Sequence, residues 1–152
     1  MPLDEIVGRT YGPSQPYEVG REKIREFADA IGDPNPVYRH ADAAKEHGHA
    51  DIVAPPTFAI VVAFPLLQAM LDDLGLPLHQ IMHADQKFAQ ERPIGPGDVL
   101  IGTLTVDKAR SMAGNDLIFT RTEITTENGH PVCTAQATVV HRAEAEVAEG
   151  AA

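Results

Sequence analysis

Residues 30–44 read "AIGDPNPVYRHADAA", and how this stretch is parsed decides the fold. Just before it, "REKIREFADAIG" places Ile24, Phe27, Ala28 and Ile31 at i, i+3, i+4 and i+7, the apolar stripe of an amphipathic helix. Gly32 follows, where a helix needs a residue free to turn left-handed. In "DPNPVY" each proline fixes its own φ and pushes the residue before it out of helix, which predicts a rigid loop. "HADAAKEHG" then reads as a second, short helix. Asp33 has two readings. Asp, Asn and Pro are turn formers by their own chemistry, and a carboxylate on a fixed loop after a helix is also a place for acid–base work.

Downstream, "APPTFAIVVAFPLLQAMLDDLG" predicts a long helix with Pro55 in its first turn, where a missing N–H costs little. Its apolar residues fall on nearly every face, as burial all round requires. Pro65 is expected to kink it, and Gly75 to end it. From about residue 79 the pattern turns to strands, separated by the turns "GPGD", "AGN" and "ENGH". In "PVCTAQATVVHR", Cys133, Ala135, Ala137 and Val139 alternate with Thr134, Gln136, Thr138 and Val140, as in a half-buried strand. Upstream, "GRTYGPSQPYEVG" is turn-rich with room for a short strand. This order predicts an α+β fold, an antiparallel sheet wrapped around one long central helix. Residues 1–143 are expected to form one domain, and the small, acidic residues 144–152 a disordered tail.

Composition narrows the function classes. The chain has 152 residues, 43% of them hydrophobic, which suits a single globular core. The longest apolar stretch, Phe58 to Met70, is shorter than the ~20 residues of a membrane helix. The first ten residues lack the basic-then-apolar order of a signal peptide. A single cysteine, Cys133, excludes an internal disulfide and reads as core. A cytoplasmic protein is expected. The net charge is −10 and no run of Lys or Arg stands out, so neither nucleic acid nor membrane is an expected partner. An anionic ligand would need a local basic patch drawn from Arg39, Lys87, Arg92, Arg110, Arg121 and Arg142, each of which also reads as a solvated surface charge. His47 with His49, and His79 with His83, have no Cys or carboxylate at ligand spacing. No metal or cofactor is expected.

"GDPNPVY" resembles the Gly-Asp-x-Asn-Pro-x-His motif of the MaoC-like hydratases and dehydratases, which have the hotdog fold and act on (3R)-hydroxyacyl and 2-enoyl thioesters. Gly32, Asp33, Asn35 and Pro36 match, with Val37 in the apolar slot. The likeness runs on through the long helix and the strands. It implies catalytic-motif positions at Asp33, Asn35 and Tyr38, and substrate-binding positions at Pro55, Pro56, Thr57, Phe58 and Ala59. The sequence departs from the motif twice. Tyr38 stands where the family has its catalytic histidine, and in "VAPPTFA" Pro55 stands where a glycine N–H meets the thioester oxygen. "GDPNPVY…VAPPTF" resembles a subgroup of short actinobacterial members. These serve as the accessory, substrate-binding subunit of a heterodimeric (3R)-hydroxyacyl-carrier-protein dehydratase of fatty-acid elongation.

The departures bear on chemistry. A histidine near pKa ~6.5 cycles between acid and base at neutral pH, whereas a tyrosine near ~10 is a phenolate about one time in a thousand. Losing a general base costs ~10²- to 10⁴-fold. Losing one oxyanion donor costs ~10²- to 10³-fold, and proline has no N–H to give. His40, two residues past Tyr38, would point the same way in an extended loop and could rescue the base. Ala59 and Ala63 are either borders of an acyl tunnel or plain helix-to-sheet packing. Three functions follow. The first is an accessory subunit that holds an acyl-ACP or acyl-CoA thioester while a His- and Asp-bearing MaoC-like partner completes the site. The others are an active (3R)-specific enoyl-CoA hydratase or dehydratase, and a homodimeric acyl-thioester binder.

Overall fold

Residues 1–142 of the computed structural model are described; the tail expected at 144–152 lies outside them. Two short strands, β1 (Thr10–Tyr11) and β2 (Tyr17–Glu18), open the chain where one was expected. The amphipathic helix α1 spans Arg21–Ala30. Ile24 and Ala28 are fully buried and Phe27 packs beside them, but Ile31 is 48% exposed. Ile31 ends the helix instead of extending its stripe, since Gly32 at φ +70° turns the chain away. The short helix α2 spans Ala41–Glu46.

The long helix, α3, spans Ile60–Asp73. It starts later than the sequence predicts. Pro55 lies before it, in a run of i→i+3 turns: Phe58 N donates to Pro55 O at 2.9 Å and Ile60 N to Thr57 O at 3.1 Å. Gly75, at φ +66°, closes the far end: Leu76 N bonds back to Leu71 O at 2.9 Å. Nor is α3 buried all round. Val62, Ala63, Leu66, Leu67, Met70 and Leu71 are buried, but Phe64 is 43% exposed. One stripe of an apolar helix therefore stays uncovered in the single chain.

The strands β3 (Ile81–Gln90), β4 (Val99–Met112), β5 (Asn115–Thr126) and β6 (Pro131–Arg142) follow. All pairings are antiparallel, in the order β1-β4-β5-β6-β3, with β2 also on β4. This is the α+β hotdog arrangement that the motif implied. The core divides along α3. Phe58, Val62, Leu100, Ile124 and Cys133 sit at its leading end. Leu66, Met70 and Leu71 pack on Leu104, Val106, Ile118 and Val139 further along. Cys133 is buried as expected, and burial pushes its thiol pKa up. Helix and sheet meet closely at Gly102, where an added Cβ would lie 2.9 Å from Leu66 Cδ1 and 3.0 Å from Val62 Cγ1.

The "GPGD" turn is fastened by Asp98. Arg92 grips its carboxylate with both guanidinium nitrogens at 2.9 and 3.0 Å, and Gly95 N donates to it at 2.9 Å. Burial alone would raise the Asp98 pKa, but these donors outweigh it and hold the carboxyl below its usual range. A depressed carboxyl stabilises the fold fully above its unfolded pKa of ~3.9, and that contribution is lost as pH falls through the native value. Asp98→Asn is therefore expected to cost about 1–2 kcal/mol at pH 7, allowing for screening at the half-exposed arginine. Urea unfolding at pH 7 and near pH 3 should show the difference from the parent shrinking at the lower pH.

Candidate functional site

The motif loop is built by its own side chains. At the end of α1, Gly32 N donates to Asp29 O at 3.1 Å and Asp33 N to Ala28 O at 3.0 Å, the two back-bonds that satisfy a helix's last carbonyls. Asp33 Oδ1 then accepts from Asn35 N at 3.0 Å, bridging Pro34. Asn35 Oδ1 accepts from Val37 N at 3.1 Å and caps a single 3-10 turn over Pro36–Tyr38. Asn35 braces the loop, and Asp33 does the work of a turn former.

Arg39, which the sequence offered for a basic patch or as a solvated surface charge, ties this loop down. It donates to Asp33 O at 2.6 Å and pairs with Asp29 on α1. Its own carbonyl accepts from Arg25 Nε at 3.0 Å. No spacing rule foretells this, because these contacts between α1 and the motif loop have no periodic signature.

Tyr38 points inward. It is 9% exposed and belongs to the same apolar cluster as Val37, Ala54 and Phe58. Burial first, and the Asp33 charge second, push its pKa above the usual 10.0. The phenol is thus even less a base than a free tyrosine. His40 does not replace it. The expected extended geometry is absent, because the chain bends through the 3-10 turn and His40 N bonds back to Pro36 O at 2.9 Å. Tyr38 is buried, and His40 is exposed at the start of α2.

Residues 55–59 lie behind the loop. Pro55 is buried, and its carbonyl accepts from Phe58 N. Pro56 is exposed, and its carbonyl accepts from Gln90 Nε2 at 2.7 Å, fixing the turn to the end of β3. Neither proline has an N–H. The first peptide donor in the turn is that of Thr57, which is exposed. Phe58 and Ala59 depart from the expected ligand contacts, since both are fully buried. Phe58 is wedged between Phe27, ring centres 5.4 Å apart, and Tyr17, 6.5 Å apart, so its ring serves the core. Ala63 lines a space of only about 10 Å³ between helix and sheet, room for one water, and Ala59 does not line it. The interior of the single chain holds no acyl tunnel there.

Three of the candidate cations are held by carboxylates. Arg39 pairs with Asp29, Arg92 with Asp98, and Arg121 with Asp107 and Glu123. Arg110 sits 5.6 Å from the Phe119 ring on the sheet. Among the described residues no group of three or more His, Cys, Asp or Glu is placed to hold a metal ion, and no helix is long and apolar enough to cross a membrane.

Residues 5–135 match the protein family described as "FAS1-like, dehydratase domain region". The chain is 49% identical over 153 residues to a UPF0336 protein of Saccharopolyspora erythraea, covering 99% of this chain and 98% of the relative. A UPF0336 protein of Streptomyces avermitilis is 50% identical over 149 residues, 96% and 99% of the two chains. Among solved structures, the HadBC (3R-hydroxyacyl-ACP dehydratase) complex of Mycobacterium tuberculosis superposes with a TM-score of 0.81 at 28% identity, over 89% of this chain and 96% of that one. A MaoC-like dehydratase superposes at 0.86 with 34% identity, over 93% of this chain and 44% of that one.

The Arg39 tether has a measurable consequence. Arg39→Met should destabilise the chain by about 1–2 kcal/mol through lost charged hydrogen bonds, and speed amide exchange at Asn35 and Val37 ahead of global unfolding. Arg39→Lys should recover only part of the protection, since one ammonium lacks the planar fork that reaches both acceptors.

Proposed function

The chain belongs to the FAS1-like dehydratase-region family, and on that premise we propose that it is an accessory subunit of a (3R)-hydroxyacyl-thioester dehydratase, holding the acyl substrate while a histidine-bearing hotdog partner performs the proton transfers. One observation carries this reading. At the position of the family's general base stands a phenol that the core buries and whose pKa is raised. Dehydration needs a group that takes the α-proton and a group that protonates the leaving hydroxyl near neutral pH. Tyr38 is a donor at that pH and nothing more. Pro55 supports the same reading, because the thioester oxygen finds no N–H there.

A second hotdog domain has a place to sit. β3 bonds to β6 along one side only and ends the sheet. A free edge is a template for another strand. Phe64 of α3, 43% exposed, adds uncovered apolar surface. The similar HadBC dehydratase is itself a complex. In this arrangement Asp33, held by Asn35 and Arg39, and the exposed Pro56 and Thr57 form this chain's share of a site that the partner closes. The ligand is an acyl-ACP or acyl-CoA thioester, and the setting is the cytoplasm.

Two assays on purified protein decide between the readings. The isolated chain should hydrate a 2-enoyl-CoA at least ~10²-fold more slowly than a histidine-bearing relative, and turnover should appear on adding such a partner. Robust hydration by the isolated chain that disappears in Asp33→Asn would overturn the accessory reading and establish an active hydratase. Silence both alone and with partners would leave a homodimeric thioester binder.

A further inference from the structure

We propose that the groove between residues 14–17 and the leading half of α3 is the binding site for the alkyl tail of an acyl thioester. This assignment rests on the acyl-thioester reading and adds where the chain lies and how much of it fits.

The groove holds about 330 Å³ and is lined by Ser14, Gln15, Tyr17, Val61, Val62, Pro65 and Leu66. That volume and this mostly apolar lining suit a small-molecule site. The space between helix and sheet, at about 10 Å³, cannot take an acyl chain.

Its walls are fixed before any ligand arrives. Ser14 N donates to Gly102 O at 2.8 Å, and Gly102 N donates to Ser14 Oγ at 2.9 Å, clamping the loop to β4. Tyr17 leans on Phe58. Val62 and Leu66 are held over Gly102, where even a methyl would collide with them. Preformed walls spare the ligand the entropy of ordering them.

The groove's helix wall begins at Val61, four residues past Thr57 in the preceding turn. Thr57 is exposed in that turn. Val61 and Pro65 follow at four-residue spacing, which keeps them on one helix face. Pro65 cannot donate the helical bond to the Val61 carbonyl, so one backbone acceptor at this wall lacks its usual partner. A methylene takes roughly the space of a water in the liquid, about 30 Å³, so the groove's volume accommodates roughly ten or eleven methylenes.

The test is calorimetric titration of the intact chain with S-alkyl-CoA thioethers of four to sixteen carbons. The Kd is expected to fall about fourfold per methylene and to level off at about ten to twelve carbons. Val61→Trp and Gln15→Trp should each move that plateau several methylenes shorter. Gln15 is exposed, so its variant tests the groove without disturbing the core. A chain-length dependence that neither tryptophan alters would overturn the groove while leaving acyl binding intact. Failure of every thioether to bind would overturn the groove together with the reading beneath it.

Discussion

The fold depends on how close one helix comes to one sheet. Three long antiparallel strands, β4, β5 and β6, present a face of Leu100, Leu104, Ile118, Ile124 and Val139, and α3 is the element that covers it. The contact is close at Gly102, where a hydrogen stands in place of a side chain and Val62 and Leu66 fill the room. From this contact the rest is placed. The helix axis sets the position of the Pro55–Ala59 turn. That turn seats Phe58 between Phe27 and Tyr17, and Phe58 in turn ties α1, which ends in the motif loop, to the N-terminal segment.

The motif loop is braced by its own polar groups. Asp33, Asn35 and the back-bonds of α1 form a rigid chain of polar contacts, and rigidity of this kind is what a positioned carboxylate requires. At the next step the side chain is a phenol turned toward the core. The loop thus presents a fixed surface that carries a carboxylate acceptor.

Much of this was legible in the residues. The periods of α1 and β6, the glycines after the helices and the strand-separating turns are local properties, and the folded chain displays them. The start of α3 was misjudged because proline suits both the first helical turn and an i→i+3 turn, and only the packing of Phe58 distinguishes the two. The open stripe on α3 was hidden for a different reason: an apolar helix looks the same whether its own sheet or another surface covers it. At the site, the bracing by Asn35 followed from turn chemistry. The arginine tether joins residues 25, 29, 33 and 39 across two elements and has no periodic signature. The separation of Tyr38 from His40 was set by the 3-10 turn at Pro36–Tyr38, and the burial of Phe58 by its packing against Phe27 and Tyr17.

The edge strand β3 has a consequence for partner choice. Its pairing with β6 skips between His83 and Asp85, so the outward row of peptide groups is out of step on either side of that point. Lys87 adds a charge beside it. An arbitrary extended segment meets this rim out of register on one side of the shift, which discourages promiscuous fibrillar growth. A strand that does fit must carry a compensating irregularity of its own, so that compatibility is read first from main-chain rhythm and only then from side chains.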